Sequence, residues 1–154
     1  MKAAAIVTVA ILSAGLILWG HAASRELPHR IGVSPEIKKA FPDGDSIAIH
    51  AVTGSAPRFE VGGTYRVVGT CRQGTLKKAT LYLGNTSEQG GPSIAADAGS
   101  SLSVAVEPGA TDFDITFTLL RPGLLHVTLY DPNRASPTDN AHAGIYLGDA
   151  VFRR

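Results

Sequence analysis

The chain is short of cysteine and of charge, and each shortage closes off a class of protein. Cys71 is the only cysteine in 154 residues. An intramolecular disulfide is therefore impossible, and so are the C-x-x-C redox and zinc patterns. A domain of this chain must hold together by its core alone. Charged residues make up 18%, with 14 Lys and Arg against 13 Asp and Glu. Such balance leaves no electrostatic footprint for nucleic acid or for an anionic membrane surface. The basic pairs Lys38-Lys39, Lys77-Lys78 and Arg153-Arg154 are too scattered to alter that. Catalytic signatures are missing as well: there is no G-x-S-x-G, H-E-x-x-H, Walker loop or dinucleotide glycine fingerprint. Gly62-Gly63 and Gly90-Gly91 read as turn glycines, because neither opens a helix after a strand.

What is present begins with an apolar leader. Met1-Lys2 precedes a run from Ala3 to Trp19, interrupted only by Thr8 and Ser13 among polar residues. A positive start, an apolar stretch and small residues after it describe a secretory signal, with cleavage after Ala22 or Ser24. The same run as a helix would span about 26 Å, close to the apolar thickness of a bilayer. Trp19 would then sit where an interfacial aromatic does. Residues 1–24 are accordingly expected to be a signal peptide or an N-terminal membrane anchor. Either places the remainder outside the cytoplasm, in the periplasm or the extracellular space, anchored to the membrane by residues 3–19 if the leader is uncleaved.

Residues 25–45 read as a linker with one short helix. Ser34 is suited to cap it, Pro35 to open it and Pro42 to stop it. Beyond that the hydrophobic period becomes two. Ile47, Ile49 and Ala51 alternate with polar neighbours, as do Tyr65 to Cys71, Ala79 to Leu83, Leu102 to Val106, Phe113 to Leu119, Leu125 to Leu129, and Ile145-Leu147 running into Val151-Phe152. Seven such segments, each with one apolar and one polar face, call for antiparallel sheets. The expectation is an all-β, antiparallel two-sheet sandwich of immunoglobulin or fibronectin-like pattern over 46–154, with a small barrel as the alternative. No Trp or cysteine pair marks an immunoglobulin core. Pro108-Gly109 and Pro122-Gly123 divide 102–130 as turns would, the latter as a type II turn, so that stretch reads as a three-strand meander.

Candidate functional residues are few. Cys71 falls on the inward side of its strand beside Tyr65 and Val67, where a thiol is an inert filler. His50, His126 and His142 are the possible imidazole ligands for copper or zinc; His50, His126 and Asp139 could meet if the first and sixth strands were neighbours. Their spacing lacks any tight local pair. His21 would chelate copper only as a new amino terminus, which Leu18 makes a poor cleavage site. Asp112 and Asp114 share a strand face and could serve calcium, or simply wet that face. Asn85-Thr86-Ser87 is a formal glycosylation sequon.

Binding residues on sandwiches commonly lie on connections, and two are longer than folding requires: Gly84 to Ser101, expected to be mobile, and Asp131 to Ala141, stiffened by two prolines. The second offers Arg134, Asp139 and His142 as an interface. These observations point to an exported, non-enzymatic binding or accessory module of the cell envelope. It would need no cofactor, and its partner would be another envelope or extracellular protein or a glycan. The alternative is a periplasmic metal-binding protein using the histidines.

Overall fold

A computed structural model describes residues 26–32, 38–40, 44–74, 78–130 and 141–150, leaving out the side chains of 38–40, 141–143 and 148–150. The leader, Ser34–Glu36 with its expected helix start, Arg134, Asp139, the His142 side chain and Val151-Phe152 lie outside what is described. Ten strands are formed among the described residues: β1 (His29–Arg30), β2 (Lys38–Ala40), β3 (Ser46–Gly54), β4 (Thr64–Gln73), β5 (Ala79–Thr86), β6 (Ile94–Ala96), β7 (Ser103–Val106), β8 (Gly109–Leu119), β9 (Gly123–Tyr130) and β10 (Ala141–Ala150). The strand at Lys38–Ala40 stands in the stretch expected to be helical.

The strands form two antiparallel sheets. One runs β1-β3-β4-β8-β6, with β2 also paired to β3; the other runs β10-β9-β5-β7. All seven expected strands are present, as two sheets and not as a closed barrel. Between the sheets lies one core. Ile47, Tyr65, Val67, Cys71, Ile115 and Phe117 come from the first, and Leu81, Leu83, Leu125, Val127 and Leu129 from the second, each wholly or almost wholly buried. Burial of such surfaces, at about 25 cal/mol per Å² of apolar area, is the main force holding a fold that has no disulfide.

The three-strand meander is not formed. β7 pairs with β5, β8 with β4 and β6, and β9 with β5 and β10. Every connection from β4 to β9 therefore crosses from one sheet to the other. The physical reason is that alternation reports which side chains point inward, and a sandwich asks the same pattern of both its sheets. Gly123 takes no positive φ, so Pro122-Gly123 is not a type II turn. Its glycine serves closeness instead: a Cβ there would overlap the Thr86 carbonyl and the Asn85 amide oxygen. Gly109, by contrast, does adopt a positive φ, 109°, at the β7–β8 crossing.

One inward position moved. Ala51, expected inside, is only partly buried, while Val52 is buried. The register between β3 and β4 slips between Ile49 and Ala51, so His50 is the extra residue of a β-bulge. A bulge resets the parity of every residue after it.

The Gly84–Ser101 connection, expected to be mobile, is instead tied down. It contains β6, and Leu120 and Arg121 both donate their backbone N–H to the Ser93 carbonyl. Ser93 Oγ in turn donates to the Asn85 carbonyl, and the Thr116 N–H donates to Ser100 Oγ.

Candidate functional site

The two sheets present outer faces of different chemistry. On the β1-β3-β4-β8-β6 sheet the outward positions of β4 and β8 carry charge. Arg66 grips Asp114 with two parallel bonds, Nε to Oδ1 at 2.7 Å and Nη2 to Oδ2 at 2.6 Å. That pairing holds the Asp114 carboxyl below its ordinary range and raises the Arg66 guanidinium. Beside it, Thr70 Oγ1 donates to Asp112 Oδ1 at 2.8 Å and lies 2.8 Å from His50 Nε2. A hydroxyl has one proton, and here the carboxylate takes it; His50 Nε2 is thus the donor to Thr70. The bulge in β3 aims His50 over this row, and an open hollow of about 410 Å³ lies between His50, Thr70, Asp112 and Asp114.

The order imidazole–hydroxyl–carboxylate decides what this row can do. Activating a hydroxyl as nucleophile requires the imidazole between the carboxylate and the hydroxyl. Here the hydroxyl is in the middle, so the three groups tie β3, β4 and β8 together and do not activate Thr70. Asp112 and Asp114 are likewise committed to Thr70 and Arg66, and not to each other.

The outer face of the β10-β9-β5-β7 sheet is aromatic. The chain has four tyrosines. Tyr65 is buried in the core, where its hydroxyl accepts the Glu60 N–H and donates to the Arg58 carbonyl. Tyr82, Tyr130 and Tyr146 all project outward from this second sheet. Tyr82 and Tyr130 meet edge to face with ring centres 6.2 Å apart, and so do His126 and Tyr146. Register places Tyr146, His126 and Gly84 in one row across β10, β9 and β5, and Gly144, Thr128 and Tyr82 in the next. A Cβ at Gly84 would come within 2.6 Å of the His126 ring, so the glycine provides the floor on which the imidazole lies. None of the described outward side chains of β5, β7, β9 and β10 is an Asp, Glu, Lys or Arg.

His126 is held from both sides. Its Nδ1 is 2.8 Å from Thr128 Oγ1 and its Nε2 is 3.3 Å from Thr86 Oγ1. Burial under its neighbours lowers its pKa, because an imidazolium there would lose hydration.

The residues proposed from sequence fare as follows. His50 and His126 are on different sheets and are not brought together. His142 falls within β10, at the register shift between Ala141 and Ala143. Residues 131–140, with Arg134 and Asp139, join the ends of β9 and β10. Among the described residues, no group of three His, Cys, Asp or Glu side chains is arranged to hold a metal ion. Cys71 is buried, and desolvation pushes its thiol up to about 11, leaving little thiolate to react. In the Asn85 sequon, Nδ2 donates to the Arg121 carbonyl at 2.9 Å, and Oδ1 is buried. That amide is occupied in the folded domain. The aromatic face was not singled out from sequence. Its signal was there, in Tyr82, His126, Tyr130 and Tyr146 standing at outward positions, but only the strand order makes them one surface.

No family model, no curated protein and no solved structure matches the chain.

Proposed function

We propose that this protein is an exported, non-enzymatic β-sandwich module of the cell envelope, a binding or accessory protein whose ligand site is the outer face of the β10-β9-β5-β7 sheet. The observation that carries the reading is the gathering of Tyr82, His126, Tyr130 and Tyr146 on that one face, whose described outward side chains include no Asp, Glu, Lys or Arg. Large, rigid, amphipathic rings give contact area at low entropic cost, and an apolar surface kept exposed calls for an occupant. Export is supported by the leader. An immunoglobulin or fibronectin type is supported by strand order: β3-β4-β8 faces β10-β9-β5-β7, so long strands adjacent in sequence repeatedly exchange sheets.

The 131–142 segment belongs to the same proposal. Tyr130 and Ala141 are register partners at one end of the aromatic face, and Arg134, Asp139 and His142 follow or precede them in the chain. They would form a polar rim to it.

The test is site-specific photocross-linking in the native cell. A benzophenone amino acid, which inserts into C–H bonds of proteins and sugars alike, is introduced at Tyr82, at Tyr146 and, on the opposite face, at Asp112. Adducts at the first two and none at the third are expected, in an extracytoplasmic fraction. Adducts only at Asp112, none anywhere, or a cytoplasmic location would contradict the reading.

A further inference from the structure

We infer that the aromatic face is a carbohydrate-binding platform, its ligand a neutral polysaccharide laid across β10, β9 and β5. This inference rests on the binding reading above and gives that site its ligand class. Three observations on the face favour a sugar. The first is shape. Successive rows on a strand face are two residues, or about 7 Å, apart. Tyr146 and His126 occupy one row, Tyr82 the next and Tyr130 the one after. The rings thus form a bent track, from Tyr146 and His126 out to Tyr82 on β5 and back to Tyr130 on β9, with Gly84 and Gly144 keeping the floor low beside them. An extended chain of pyranose rings can lie along such a track, each offering its C–H face to a tyrosine.

The second observation is the mixture of groups. A pyranose has an apolar C–H face and a rim of hydroxyls, and needs rings and hydrogen-bonding groups side by side. Here the rings stand beside the hydroxyls of Thr80 and Thr86, while the buried Thr128 holds His126, and each tyrosine adds a phenol. A protein partner with an apolar interface would be met by exposed aliphatic side chains as well. Of the large exposed hydrophobics on this face only Leu124 is aliphatic, the others being Tyr82 and Tyr146.

The third is charge. The described outward side chains of this sheet include no carboxylate, ammonium or guanidinium, whereas the opposite face holds Arg66, Asp112 and Asp114. Among the described side chains of the face, His126 is the one group that titrates below the phenols, and its burial favours the neutral ring. Among the described side chains of the face nothing would reward an anionic or cationic polymer, and an uncharged one loses least by leaving water for it.

The experiment is affinity gel electrophoresis of the full chain. Hydroxyethyl cellulose, amylose and galactomannan are the neutral probes, and alginate is the anionic control. Retardation by at least one neutral polymer and none by alginate is expected. A Tyr82→Ala/Tyr146→Ala variant, confirmed as folded by its urea midpoint, should bind at least ten-fold more weakly. The Tyr82→Phe/Tyr146→Phe variant keeps the rings and should stay within a few-fold of wild type. If the Phe pair loses binding as completely as the Ala pair, stacking is not the basis of recognition and the inference fails. It fails also if retardation survives the Ala pair, or if alginate binds as well as the neutral polymers. Lack of retardation by every neutral probe, with photocross-links at Tyr82 and Tyr146 persisting, overturns the carbohydrate inference while the binding function stands. Absence of both overturns both.

Discussion

The two outer faces of this sandwich share one core and differ in what they do with water. On the β3-β4-β8 side, outward groups satisfy one another: Arg66 with Asp114, and Thr70 with Asp112 and His50. On the β10-β9-β5 side, Tyr82 and Tyr146 keep exposed ring surface, and only His126 is tightly held. A face whose polar groups are already paired gains little from a partner, since binding would exchange one set of hydrogen bonds for another. A face of exposed rings gains apolar burial on contact. On the proposed reading the first face is a brace and the second a receptor.

The largest effect expected is one that both faces share. Phe117→Ala removes a fully buried ring from between the sheets and should cost about 3–5 kcal/mol. Its neighbour Thr116, on the outer face, should cost much less as Thr116→Ala. Urea unfolding of both variants checks this, and equal costs would mean that the inward and outward assignments of β8 are wrong.

Next is the crossing that carries the chain from one face to the other. Gly123→Ala forces a Cβ against the Thr86 carbonyl and should cost about 1–3 kcal/mol, the usual range for overpacking. The obstacle is backbone, which cannot swing aside as a side chain can. A neutral result by thermal or urea unfolding would show that the β8–β9 crossing is looser than described.

A pH series separates the faces by window, since both contributions are lost as pH falls. The His126 pKa is lowered in the folded state, so folding is favoured fully above the unfolded value of about 6.5. As pH falls below that, the unfolded chain takes up a proton that the folded chain resists, and stability drops until the lowered pKa is passed. Asp114 is also lowered, but its contribution disappears only at more acid pH, below the ordinary carboxylate range. His126→Gln should therefore flatten the stability profile just below neutrality, and Asp114→Asn should leave that window unchanged. Urea midpoints between neutral and mildly acid pH check it; an unchanged slope in His126→Gln would contradict the burial of that ring.

The smallest effect expected is in the brace itself. Arg66→Ala should change stability by no more than about 1 kcal/mol, because the pair with Asp114 is partly solvated and screened. It should leave ligand binding intact. Loss of binding in this variant would reverse the roles of the two faces.

Most of the core could be read from the sequence, since Phe113, Ile115, Phe117 and Leu119 alternate without interruption and period two has one structural meaning. The parity change after Ile49 could not, because nothing in Ile-His-Ala announces a bulge. Nor could strand order: Leu125, Val127 and Leu129 would point inward in either sheet. β6 escaped notice because three residues, Ile94–Ala96, are too few to display a period. The candidate face depended on that missing order. Tyr82, His126 and Tyr146 are separated by 44 and 20 residues along the chain, and each alone is an ordinary outward aromatic.

Hydroxyl-radical footprinting of the protein in its native envelope against the purified protein tests the division of roles most directly, without knowledge of the ligand. Tyr82 and Tyr146 should be protected several-fold in the envelope, while His50 on the opposite face reacts equally in both. Equal reactivity of the two tyrosines in both settings, or protection at His50 instead, would contradict it.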